Sequence, residues 1–106
     1  MYYYCTNYFD LPTVSIIILN YNTFALTCKC IATVIEFTKG VSYEIILVDN
    51  CSTKDNANDF LLHFPNITLI KSPANKGFAN GNNLGIAAAK GEFILLLNSD
   101  CYLIDD

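Results

Sequence analysis

The chain has 106 residues, 53% of them hydrophobic and only 15% charged, and a formal net charge of −4. That length holds one domain at most and is small for an enzyme that must bind two substrates, while so apolar a composition implies surface that meets a partner. Lys54, Lys71, Lys76 and Lys90 are scattered along an acidic chain, which excludes nucleic acid as a partner, and no apolar run approaches the ~20 residues of a transmembrane span.

Met1 to Asp10 is tyrosine-rich and lacks a basic region followed by an apolar stretch, so it does not read as a signal peptide; residues 1–12 are taken as an N-terminal extension. Val14 to Leu19 is a β-branched apolar run, the first strand, and it breaks into Asn20-Tyr21-Asn22-Thr23. Asn22 or Thr23 can cap a helix in which Phe24, Leu26, Ile31, Val34 and Ile35 recur at roughly helical spacing until Lys39-Gly40. Cys28 and Cys30 fall in this helix about 200° apart, a poor geometry for sharing a metal. With Cys5, Cys51 and Cys101 the cysteines are odd in number and lack C-x-x-C spacing, the pattern of reduced thiols in a cytoplasmic protein.

Tyr43 to Val48 is the second strand, ending in Asp49-Asn50-Cys51-Ser52-Thr53. Asp55 to Phe64 carries Phe60, Leu61 and Phe64 on one helical side, and Pro65-Asn66 stops it ahead of a third strand, Ile67 to Ile70. Phe78 to Lys90 reads as a helix despite Gly81 and Gly85. Each glycine costs about 1 kcal/mol there against alanine, so the pair points to a close approach that side chains would block. Glu92 to Leu97 is the fourth strand, and it runs into Asn98-Ser99-Asp100.

Strands alternating with helices imply right-handed parallel crossovers and a doubly wound α/β sheet. Parallel ladders put all carboxyl ends on one rim, so the polar clusters at 20–23, 49–53 and 98–100 should converge where open α/β sheets bind ligands. Each cluster taken alone is also an ordinary solvated turn. No G-x-G-x-x-G follows the first strand and no G-x-x-x-x-G-K-[ST] is present. The single histidine, His63, sits in a predicted helix and gives little support for Ser-His-Asp chemistry.

The runs VSIIILNYNT, EIILVDNCSTKDN and NKGFANGNNLGIAAAKGEFILLLNSD resemble the donor-binding half of family 2 glycosyltransferases, over Thr13 to Tyr102. The resemblance implies the parallel-stranded, Rossmann-like GT-A half-domain with about four strands and three helices across residues 13–106. It implies transfer of a sugar from a nucleoside diphosphate donor to a glycan or other acceptor, with inversion and with Mg²⁺ or Mn²⁺. By motif position Asp49 accepts a hydrogen bond from the base, and Asn20 and Tyr21, with Asn22, Asn50 and Ser52 around them, line the base pocket. Tyr21 either stacks there or only packs, and Asp49 in isolation would pass for a turn aspartate. Asn75, Gly77 and Asn83 match segments near the ribose and diphosphate.

Asn98 and Asp100 fall at the D-x-D position, Asn98 replacing its first aspartate as in rhamnosyltransferase-like members, and Asp100 is the implied metal ligand. An ionised carboxylate only accepts, which suits a pyrimidine imide, so UDP- or dTDP-linked donors are expected ahead of GDP-linked ones. The carboxylate that serves relatives as general base has no counterpart before the chain ends six residues past Asp100. The expectation is therefore a truncated donor half, inactive alone, cytoplasmic or peripheral to the inner face of the membrane, and self-associating through an exposed sheet edge or apolar face. The competing reading is a non-catalytic nucleotide-binding or structural α/β module.

Overall fold

The computed structural model describes residues 11–99. The elements are β1 (Val14–Asn20), α1 (Phe24–Phe37), β2 (Tyr43–Asp49), α2 (Asp59–His63), β3 (Thr68–Lys71), α3 (Phe78–Ala88) and β4 (Phe93–Leu97). The strands form one parallel sheet in the order β3-β2-β1-β4, the expected α/β arrangement of four strands and three helices. The chain winds outward from β1 to β3 and then returns across the sheet to β4, so the order reverses beside β1 and opens a crevice at the strand ends.

Alternation along β1 and β2 builds two cores. Ile16, Ile18, Ile45 and Leu47 point to one face, against Cys30, Ile31 and Val34 of α1 and Phe60 of α2. Ile17, Ile46 and Val48 point to the other, where Leu84, Ala88 and Ala89 cover them. Each fully buried isoleucine contributes roughly 1.5–3 kcal/mol. The close approach implied by the glycines of α3 is present. A Cβ on Gly81 would lie 2.6 Å from Leu19 Cδ2, and one on Gly85 would lie 2.5 Å from Ile17 Cγ2.

Several boundaries differ from the sequence reading. β1 and β2 run one residue further, through Asn20 and Asp49, which face each other in register as the last ladder pair. β3 is shifted by one residue to Thr68–Lys71. The second helix begins at Asp59, not Asp55, because side chains compete for the backbone there. Asp55 Oδ2 is drawn to Asn20 Nδ2 (3.2 Å), and Asn56 Oδ1 accepts the Asn58 amide (3.1 Å). β4 is an edge strand of different character from β1 and β2. Phe93, Ile94, Leu95 and Leu96 are 45–61% exposed, so the sheet is covered on both faces at its centre but not at this edge.

Candidate functional site

The carboxyl ends of β1 and β2 are joined by a buried polar cluster. Asn20, fully buried, donates from Nδ2 towards Asp49 Oδ1 (2.8 Å), Ser52 Oγ (3.2 Å) and Asp55 Oδ2 (3.2 Å). Its Oδ1 accepts from the Thr23 hydroxyl (3.1 Å) and the Thr27 hydroxyl (2.9 Å), which ties the start of α1 to the strand. Asp49, 4% exposed, also accepts from the Ser52 hydroxyl (2.6 Å) and the Ser52 amide (3.0 Å). Three donors occupy the carboxylate, and its roughly four lone-pair sites leave one on Oδ2.

Asn22 fastens the two loops together. It adopts a left-handed φ of +54°, and its Oδ1 accepts the amides of Thr53 (2.9 Å) and Lys54 (2.7 Å) while its own amide donates to Ser52 Oγ (2.9 Å). Asparagine tolerates that conformation better than most residues. Cys51 shares it at φ +63°, and its exposed thiol reaches the Pro73 carbonyl (3.6 Å). Asn50 carries the connection to α3. Its Nδ2 donates to Asn75 Oδ1 (3.1 Å) and the Gly77 carbonyl (3.3 Å), and Asn75 Oδ1 also accepts the Gly77 amide (3.0 Å). Gly77, at φ +97°, turns the chain into α3 in a conformation other residues rarely adopt.

Beside this cluster lies a cavity of about 520 Å³, a volume within the usual range for small-molecule sites. Leu19, Tyr21, Thr23, Leu26, Asn50, Asn75, Phe78, Asn98 and Ser99 line it. It therefore gathers the ends of β1, β2 and β4 with the first turns of α1 and α3, which is the convergence the strand pattern implied. None of these lining residues is charged.

The residues singled out from sequence separate into groups. Tyr21, Asn50, Asn75 and Asn98 line the cavity, and Tyr21 is 45% exposed there. Asn20, Asn22, Asp49 and Ser52 form the polar cluster beside it, and Gly77 shapes the loop. Asn83 lies on the exposed side of α3, and the asparagine turned inward is its neighbour Asn82, 6% exposed. Asp100 lies outside the described residues. Phe78, Leu26 and Leu19 were not anticipated as lining residues. Phe78 is 59% exposed at the first turn of α3, and an aromatic flanked by Gly77 and Ala79 was the available signal.

The Cys28 thiol titrates above its ordinary value, first because it is partly buried and second because the Asp55 carboxylate faces it. Among the described residues no three His, Cys, Asp or Glu side chains are grouped to hold a metal. The donors at the end of β4, the Asn98 amide and the Ser99 hydroxyl, are hard oxygens of the type Mg²⁺ and Mn²⁺ accept. They fit a cation that takes its other ligands from phosphate oxygens and from a carboxylate.

Residues 15–106 match the sequence profile of glycosyl transferase family 2. The chain belongs to this family. An uncharacterized glycosyltransferase of Haemophilus influenzae is 31% identical over 90 residues, which cover 84% of this chain and 30% of that protein. This family 2 chain thus spans less than a third of the length of that curated relative. Among solved structures, residues 1–349 of S. aureus TarS in complex with UDP superpose with a TM-score of 0.75 at 24% identity, over 85% of this chain and 28% of that one. The mannosyltransferase PcManGT from Pyrobaculum calidifontis, in complex with GDP-Man and Mn²⁺, gives 0.78 at 22% identity, over 89% and 29%. At these identities the two structures establish a shared GT-A fold. The rhamnosyltransferase-like detail has no counterpart in these findings.

Proposed function

We propose that this chain is the donor-binding part of a glycosyltransferase and that its cavity takes a nucleoside diphosphate sugar. The observation that carries the reading is the cavity at the carboxyl ends of β1, β2 and β4, in a chain whose family transfers sugars. Tyr21 and Phe78 offer aromatic surface to a base or sugar ring, and Asn75 and Asn98 offer amide groups to hydroxyls and phosphates. Asp49 keeps one acceptor site, which matches the single imide N–H of uracil or thymine more closely than the two adjacent donors of guanine, N1–H and the N2 amino group, and so favours UDP- or dTDP-linked donors over GDP-linked ones. A shift of the Ser52 loop opens that site, since Asp49 is 4% exposed.

Asp100, with Asn98 and Ser99 near it in sequence, is the proposed anchor for Mg²⁺ or Mn²⁺. An ion held there would supply Lewis-acid neutralisation of the charge on a departing nucleoside diphosphate, and the transfer proposed is an inverting one. Among the described residues the cavity lining holds no cationic side chain to do this instead. The exposed strand β4 is proposed as a surface for self-association.

The test is a binding panel of UDP, dTDP and GDP, each with Mn²⁺ and with chelator. The reading predicts pyrimidine nucleotides ahead of GDP and a loss of affinity on chelation. Equal affinity for all three would remove the role of Asp49, and affinity unchanged by chelator would remove the metal. Asp100→Ala should weaken binding only while metal is present.

A further inference from the structure

Asn50 Oδ1 is the one buried side-chain polar atom without a hydrogen-bond partner among the described residues. The side chain is 4% exposed and lines the cavity. Its orientation is fixed by its neighbours, because Nδ2 faces two acceptors, Asn75 Oδ1 at 3.1 Å and the Gly77 carbonyl at 3.3 Å. Asn75 is fixed in turn by the Gly77 amide, which donates to that same Oδ1 at 3.0 Å. Turning the Asn50 amide over would set oxygen against two oxygens. The acceptor is therefore unspent by construction, and buried acceptors left unpaired are disfavoured and rare.

We propose that Asn50 Oδ1 accepts a hydrogen bond from a ribose hydroxyl of the bound nucleotide, which makes Asn50 a residue that reads the hydroxyl pattern of the nucleotide's pentose. The inference rests on the nucleotide reading above and narrows it. An acceptor requires a donor, and a uridine diphosphate carries few: the imide N–H, the 2′-hydroxyl and the 3′-hydroxyl, since its phosphates are ionised at neutral pH. Asp49 takes the imide in that reading, and Asn50 is the next residue along the chain, so the ribose adjoining the base is the group within its reach. The sugar to be transferred lies beyond two phosphates.

In this structure Oδ1 is screened from solvent, and the hydroxyl reaches it by a local adjustment at the cavity wall that keeps the Asn75 and Gly77 contacts to Nδ2 in place. A site built around an acceptor discriminates against ligands that lack the matching hydroxyl, because the acceptor is then buried unpaired.

The experiment measures binding of UDP, 2′-deoxy-UDP and 3′-deoxy-UDP by calorimetry, to the full chain with Mn²⁺. The proposal expects one of the deoxy nucleotides to bind roughly tenfold more weakly than UDP. Equal binding of all three would overturn it while leaving the nucleotide reading intact. No binding of UDP would remove that reading and the inference with it.

Two variants assign the effect to Asn50. Asn50→Leu should abolish the discrimination, and a discrimination that persists there would give the hydroxyl to another residue. Should Asn50→Leu fail to fold, Asn50→Asp retains the acceptor while replacing the donor to the loop by an oxygen that Asn75 Oδ1 and the Gly77 carbonyl repel. It should bind UDP more weakly yet still distinguish it from the same deoxy nucleotide, and loss of that distinction would count against the proposal.

Discussion

Asp49 is held in the architecture of the site by the same carboxylate that is proposed to bind the base. Its carboxylate receives Asn20 Nδ2, the Ser52 hydroxyl and the Ser52 amide, so Asp49→Ala strands the two Ser52 donors and leaves Asn20 Nδ2 only its longer contacts to Ser52 Oγ and Asp55 Oδ2. Each group left unpaired costs about 1–3 kcal/mol, and the variant should lose several kcal/mol of unfolding free energy in a urea titration as well as its pyrimidine preference. A loss under 0.5 kcal/mol would mean the cluster is not held by Asp49. The thiols give a second test at this scale. At pH 8 Cys51, exposed, should react with maleimide well before Cys28, whose raised pKa and partial burial both lower its thiolate supply. Peptide mapping that finds equal rates would contradict the partial burial of Cys28. Sequence made Asp49 legible because a carboxylate follows an apolar strand. It could not separate Asn82 from Asn83, because adjacent asparagines leave the helical phase open, and it could not see that Asn20 is spent entirely on neighbouring side chains.

At the scale of elements, α3 is set by its glycines. Alanine is the better helix former by about 1 kcal/mol, yet Gly85→Ala would press a methyl against Ile17, whose side chain is fully buried in β1 and cannot withdraw. Overpacking of that kind costs about 1–3 kcal/mol, so Gly85→Ala should lower Tm by roughly 5 °C or more. Gly81→Ala meets the far end of Leu19, which is only half-buried and able to turn aside, and it should be the milder of the two. A calorimetric scan that finds Gly85→Ala more stable than the parent would show that α3 does not sit as close to β1 as described. This close approach was readable from two glycines four apart in a helical pattern. The start of α2 was not, because Asp55 and Asn56 are acceptable helix residues whose side chains are diverted by partners distant in sequence or in the turn itself.

The sheet as a whole joins a buried centre to an uncovered edge. β4 is five apolar residues long, contains no Lys or Pro, and leaves Phe93 to Leu96 exposed, the features of an edge open to further pairing. Light scattering should show concentration-dependent association, and Leu95→Lys should suppress it; a strict monomer at high concentration would contradict an interface at β4. The parallel order was legible from the alternation of short apolar runs with helical stretches, and from it followed the common rim. The cavity's aromatic contributor Phe78 was not legible, since an aromatic at a helix start serves packing as readily as binding. The account's central claim is that the rim binds a nucleotide, and amide chemical-shift mapping with UDP and Mg²⁺ tests it most directly. The account predicts shifts concentrated at Tyr21, Asp49 to Ser52, Asn75 to Phe78 and Asn98, at the carboxyl ends of the strands. No shifts, or shifts confined to Ser42 and Lys90 to Glu92 at the opposite end of the sheet, would contradict it.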